Sequence, residues 1–212
     1  MYNPKEKILV FQKADLLQLD DRSIEGLENI PYWFVPRGEA EECSSLVQPI
    51  PYIVVMTWNL NGYALILNYR RTTGEGDSRL YGARSVGFGG HINVKDDECT
   101  FGKIVESAAK RELEEEIYPS INFNAHSTFM GFLDLATNEG KDAEVSSKHL
   151  GLLYVVRVPL EEFYAKDPAI GNLKWTHLGK LVCEECLSVT QPGFERWSEE
   201  SLKIIRENCA SY

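Results

Sequence analysis

The sequence predicts an α+β fold in which a mixed β-sheet packs between helices. Three observations predict it. Short apolar runs of strand length recur along most of the chain, a segment of helical period stands among them, and an amphipathic segment closes the sequence. The stretch "KILVFQ" (7–12) reads as the first strand and "PYIVVMTWNL" (51–60) as the next. Asn61-Gly62 is a two-residue hairpin signal, and it leads into "YALILNYR" (63–70) as the returning strand. A polar, glycine-bearing loop, "RTTGEGDSRLYG", follows, and then "SVGFGGHI" (85–92) as a strand. Beyond the helical segment lie "STFMGFLDLA" (127–136) and "HLGLLYVVRV" (149–158), strands separated by a polar loop. The last segment, "GFERWSEESLKIIREN", has the apolar spacing of an amphipathic helix. No repeat or linker divides the chain, so residues 1–212 are expected to form one domain with an N-terminal strand extension and a C-terminal helix.

Composition narrows the function. A net charge of −10 argues against gripping naked nucleic acid through its phosphate backbone, which needs a basic face. The apolar runs, such as "YIVVM", are far too short to span a bilayer, so no membrane partner is expected. Five cysteines without a dense framework suit a reducing compartment. "MYNPKEKILVF" lacks the basic start and apolar core of a secretory peptide, which makes the expected location cytoplasmic.

The chemistry concentrates in "AAKRELEEEIYP" (108–119). On a helix Glu112, Glu115 and Glu116 stand at i, i+3 and i+4 and share one narrow stripe, while Glu114 points the other way. Val105, Ala109, Leu113 and Ile117 form an apolar stripe beside them, so the acidic row lies at the margin of the buried face. A like-charge pair at this spacing costs about 0.2–0.5 kcal/mol when solvated and more when partly desolvated. Pro119 disfavours helical geometry at Tyr118, so the helix is expected to stop there, with the glutamates at its negative C-terminal end. Arg111, adjacent to Glu112, is expected to face away from the stripe. Oxygen ligands on one rigid element are what Mg²⁺ or Mn²⁺ takes, and Mg²⁺ usually shares such a site with substrate phosphates. The plainer alternative is a solvated acidic face.

The larger stretch "SVGFGGHINVKDDECTFGKIVESAAKRELEEEI" (85–117) resembles the box of the Nudix hydrolase superfamily, in a bacterial branch with a "GGHIN" start and an extended loop. Arg111, Glu112, Leu113, Glu115 and Glu116 match its R-E-hydrophobic-x-E-E core, and Gly90 matches the opening glycine. Arg111 stands twenty-one positions after Gly90, seven more than the pattern sets, which places an insertion around "VKDDECT". Lys103 stands where the family has a glutamate that braces the arginine, so either Glu98, Asp97 or Glu106 substitutes or Arg111 is held differently, and Tyr118 and Pro119 replace the closing glycine and hydrophobic residue.

The resemblance implies an α/β/α sandwich and a metal-dependent hydrolase that cleaves a pyrophosphate bond in a nucleoside diphosphate linked to another moiety. It implies Glu112, Glu115 and Glu116 as ligands of Mg²⁺ or Mn²⁺, with the Gly90 carbonyl as a further ligand, and Arg111 holding the helix against the loop. A glutamate of a later loop assists in many members, and "TNEGKDAEVSSK" offers Glu144 or Glu139. The substrate is then a small phosphorylated molecule, and a homodimer is expected by analogy. Two other readings stay open: a Nudix-like regulator that binds a nucleotide-like effector without hydrolysis, favoured by Lys103 and Tyr118, and a prenyl-diphosphate isomerase, for which Cys99 is the only candidate thiol near the motif.

Outside the box, Arg70 and Arg84, with His91, are the candidate substrate-binding residues, and Arg71 is a neighbour of the same kind. His91 could equally satisfy a backbone group, and His149 at the start of a strand reads as structural. Cys183, Cys186 and His177 fall short of the four paired ligands of a structural zinc site. Trp175 and Trp197 read as core aromatics rather than base-stacking platforms.

Overall fold

A computed structural model describes residues 3–72, 80–133, 148–183 and 187–209 of the chain. Its elements run in order β1 (Lys7–Gln12), α1 (Lys13–Leu16), α2 (Ile24–Glu28), β2 (Tyr32–Pro36), α3 (Arg37–Glu42), β3 (Leu46–Trp58), β4 (Ala64–Arg71), β5 (Arg84–Ser85) and β6 (Gly87–Phe88). After a 3₁₀ turn at Val94–Asp96 come α4 (Phe101–Glu116), β7 (Ile117–Tyr118), α5 (Phe123–His126), β8 (Ser127–Leu133), β9 (His149–Arg157), β10 (Tyr164–Ala165), β11 (Ile170–His177) and α6 (Arg196–Cys209).

The long strand β3 organises the sheet. It pairs antiparallel with β1, β4 and β6 along different parts of its length and parallel with β9, which in turn carries β8. The sheet is therefore mixed, as expected. Strand alternation sends β3 side chains to opposite layers. Ile53 and Val55 pack with Phe101, Ile104, Val105, Ala108 and Leu113 of α4, while Tyr52, Val54 and Met56 pack with Leu202 and Ile205 of α6. A helix on each face of one sheet is the α/β/α sandwich, and each fully buried aliphatic side chain in it contributes about 1.5–3 kcal/mol.

α4 begins where the Thr100 side chain accepts a hydrogen bond from the Lys103 N–H. It ends at Glu116, and Ile117–Tyr118 turns extended to pair with β10, within two residues of the stop expected from Pro119. Two expectations need correction. The β3–β4 connection runs from Asn59 to Tyr63 rather than through a two-residue turn, because the Asn59 side chain accepts from the Asn61 and Tyr63 N–H groups and widens the loop. "SVGFGGHI" is not one strand: β5 pairs with β4 and β6 with β3, so this segment is wedged between two strands that are paired directly only over Met56–Trp58 and Ala64–Ile66. The predicted strand 127–136 reaches Leu133, and its last three residues lie outside the described residues.

Candidate active site at the acidic end of α4

The box segment folds back on α4 through its glycines. Gly89 has φ +143°, and a Cβ there would sit 1.9 Å from the Pro51 carbonyl oxygen, so the close passage of β6 over β3 requires glycine. A Cβ on Gly90 would lie 2.7 Å from both carboxylate oxygens of Glu112. This brings the Gly90 backbone and the Glu112 carboxylate together, as the motif implies. The Gly89 N–H donates to Glu116 Oε2 at 3.1 Å.

Arg111 ties the loop to the helix, though not as expected. It does not face away from the stripe: Nη1 donates to Glu112 Oε1 at 2.6 Å and lies 3.6 Å from Glu115 Oε1. Nor is it braced by Asp97, Glu98 or Glu106. Arg111 Nε and Nη2 donate in a fork to Asp96 at 2.9 and 2.8 Å, and Nη2 also donates to the His91 carbonyl at 2.9 Å. Asp96 itself is buried and accepts the Asn93 N–H at 2.9 Å in a capping box, which holds its carboxylate toward the arginine. Lys103, at the family's glutamate position, instead forms a surface pair with Glu106. Burial lowers Arg111, but its hydrogen bonds to Asp96 and the charge of Glu112 outweigh it and hold the guanidinium above its ordinary value.

The three glutamates differ. Glu112 is mostly buried and its carboxyl is raised by desolvation, against the pull of Arg111. Glu116 is raised well above the usual carboxylate range, first by desolvation and then by the charge of Glu112. Glu115 is the exposed one, 62% accessible. Two crowded, desolvated carboxylates with one arginine and one N–H between them form an oxygen donor set short of positive charge, and a hard divalent cation fits it. Among the described residues, a tighter gathering of ligand atoms lies elsewhere: Glu41, His91 and His149 hold theirs within 4.8 Å of one another.

The His91 ring is held by a side chain, with Nε2 pairing with Gln48 Oε1 at 2.7 Å. Burial first, then the positive charges of Arg37, His149 and Arg111, keep its imidazole well below the ordinary range and therefore neutral. Arg71 is committed to Glu195 at 2.9 Å, a carboxylate that also accepts from Tyr52 Oη and Ser85 Oγ. Arg70 and Arg84 line a different pocket, together with Asn68 and Lys174. Glu139 and Glu144 lie outside the described residues, as does Cys186, while Cys183 carries a free thiol and His177 packs on Tyr63. Cys99 is exposed. Trp197 stacks edge-on with Tyr52, and Trp175 donates to the Glu161 carbonyl, both in structural contacts. Asp96 is the site residue missed in the sequence, although Asn93 three positions before it carries the capping-box spacing.

A sheet with a helix on either face, and an arginine clamping a glycine loop onto the acidic end of one helix, defines the class as the Nudix fold. Comparison with known proteins places the chain there. Tm1382, a candidate Nudix hydrolase, matches over 96% of this chain and 100% of its own, with a TM-score of 0.69 and 25% identity. The Nudix domain of Shewanella oneidensis NrtR, solved with ADP ribose, shares the fold at a TM-score of 0.55 and 15% identity, over 77% of this chain and 88% of that one. A MutT/Nudix family protein of Enterococcus faecalis does so at a TM-score of 0.57 and 13% identity, covering 77% and 62%. Protein YmaB of Bacillus subtilis (strain 168) is 28% identical over 204 residues, 95% of this chain and 91% of YmaB. No family model matches the chain. The solved neighbours support membership of the Nudix superfamily.

Proposed function

We propose that the chain is a metal-dependent pyrophosphohydrolase acting on a nucleoside diphosphate linked to a further group. The Nudix hydrolase fold supports cleavage of pyrophosphate bonds in general. The observation that carries the reading is the pair Glu112 and Glu116, desolvated, mutually repelling and held by Arg111 and the Gly89 N–H beside Gly90. In this reading Glu112, Glu116 and the Gly90 carbonyl hold Mg²⁺ or Mn²⁺, with Glu115 reaching in from its exposed position. The bound ion would neutralise the pyrophosphate and lower the pKa of a water. The protein's own part is positioning: Asp96 fixes Arg111, Arg111 fixes Glu112 and the loop at His91, and Gly90 leaves the carboxylate room. Glu144 or Glu139 is proposed to assist as base.

Binding without turnover is the second reading. The ADP ribose held by the Nudix domain of NrtR shows that one protein of this fold binds such a ligand, but Lys103 no longer favours it here, since Asp96 does the bracing that Lys103 cannot. A cytoplasmic setting fits the free thiols of Cys43, Cys99 and Cys183. Among the described residues no helix is long and apolar enough to cross a membrane. A homodimer belongs to the same proposal and is read by light scattering. The test of function is product analysis of nucleotide sugars, dinucleoside polyphosphates and ADP ribose with Mg²⁺, Mn²⁺ or chelator. Cleavage at the pyrophosphate that stops with chelator supports the reading, and turnover that ignores the chelator contradicts it.

A further inference from the structure

The pocket that takes Arg70 and Arg84 lies away from the acidic helix. Along β4, Leu67 and Tyr69 point into the core layer of α4, whereas Ile66 packs in the layer of α6, so alternation puts Asn68 and Arg70 on the α6 side. Register carries the rest: Arg84 pairs directly with Arg70 across β5, and Lys174 pairs with Asn68 across β11, and cross-strand partners share a face. The Arg84 guanidinium stacks 4.2 Å over Phe194, which belongs to the α6 layer. The result is a pocket of about 190 Å³ lined by Asn68, Tyr69, Arg70, Arg84, Asn172, Lys174 and Gln191.

Among the described residues, three cations and three amides line it and no carboxylate does. Arg84 is only 7% exposed, and its partners are neutral: Asn68 Oδ1 at 3.0 Å and Gln191 Oε1. Arg70 donates to the Gly82 carbonyl. Among the described residues none of the three cations is within ion-pair distance of an acid. Buried charges are ordinarily paired, and like charges directly opposite on a sheet destabilise it. Burial, and then the charge of Arg70, lowers the Arg84 guanidinium from its ordinary value. The lining also holds a backbone irregularity: Asn172, at φ +52°, sits in the bulge between Gly171 and Lys174 that breaks the β4–β11 register. Bulges of this kind re-aim side chains beside functional sites. On a chain of net charge −10, this pocket gathers positive charge rather than sharing the general acidity.

We propose that the pocket is an anion-binding site for a phosphate-class oxyanion carried by a small soluble molecule, separate from the acidic site of α4. Arg84, held in place by Asn68, Gln191 and Phe194, presents its remaining N–H donors, and Arg70 and Lys174 close over the anion from the exposed strand positions. The volume admits one phosphoryl group rather than a single water, whose share of liquid volume is about 30 Å³.

The test is calorimetric titration and thermal melting of the full chain with inorganic phosphate in chelator, against chloride at equal ionic strength. A nucleoside monophosphate is the second probe and separates free from carried phosphate; binding of either supports the site. Saturable binding is expected, with a rise in Tm, and the double variant Arg70→Gln, Lys174→Gln, both exposed positions, is expected to bind at least tenfold more weakly while Glu116→Gln binds as the native chain does. Lys174→Gln alone serves if the double variant melts early. No binding beyond the chloride control, or equal binding by the variants, overturns the proposal. Loss confined to Glu116→Gln also overturns it, by placing the anion at the acidic site, and leaves the hydrolase reading standing.

Discussion

Replacing Asp96 by asparagine tests the architecture of the box directly. Asp96 is buried and accepts three hydrogen bonds, two from Arg111 at 2.9 and 2.8 Å and one from the Asn93 N–H at 2.9 Å. Asparagine keeps the shape but removes the charge and turns an NH₂ toward a donor. A hydrogen bond to a charged group is worth about 1.5–3 kcal/mol, and stranding one partner of a buried pair costs about 3–5 kcal/mol. Arg111 would keep Glu112 and the His91 carbonyl, and its side chain is 20% exposed, so the lower end applies. The expected loss is about 2–3 kcal/mol. At about 2–4 °C per kcal/mol for a chain of this size, Tm falls by about 4–12 °C. Denaturant unfolding with an unchanged m-value is the assay, and Asp97→Asn is the control. Asp97 is exposed, and its substitution should stay within about 0.5 kcal/mol. Equal losses from the two variants would refute the assignment of Asp96 as the brace of Arg111.

The paired glycines should separate fold from site. Gly89→Ala drives a Cβ into the Pro51 carbonyl and forces φ +143° on alanine, so it should cost about 2 kcal/mol or more in unfolding experiments. Gly90→Ala meets only the movable end of Glu112, so it should fold normally while weakening Mg²⁺ binding, measured by titration. Glu116→Gln should stabilise the metal-free protein at neutral pH. The Glu116 carboxyl is raised in the folded state, so the native state binds more protons than the unfolded one between the ordinary and the raised pKa; its contribution is favourable below that window and is lost as pH rises through the folded value. The stability gap between variant and native chain in chelator should therefore widen from acid to neutral pH, and a gap that narrows contradicts the assignment. Lys103→Met should leave stability and turnover unchanged, since Lys103 meets only Glu106 at the surface.

The strands β1, β3, β4, β8 and β9 were legible because their apolar runs are long enough to declare a period: Lys7–Gln12 and His149–Arg157 need no tertiary information. β2 and β11 were not, since Tyr32–Pro36 and Ile170–His177 alternate only partial burial and owe their pairing to β1 and β4. The acidic stripe and its arginine were legible from helical spacing. The identity of the brace was not, because three neighbouring acids follow the "GGHIN" segment and only the Asn93 capping box, read in three dimensions, selects Asp96 from them. The separation of Arg70 and Arg84 from the acidic helix depends on which face each strand residue takes, and the wedge of β5 and β6 between β3 and β4 was invisible in the sequence.

The central claim is tested most directly by hydrolysis of nucleoside-diphosphate derivatives with Mg²⁺, run in parallel for the native chain and Glu116→Gln, with folding of both confirmed by melting. The account predicts cleavage at the pyrophosphate by the native chain and its loss in a variant that melts no lower. Equal turnover by the two proteins, or silence across the panel from a native chain that binds Mg²⁺, would contradict it.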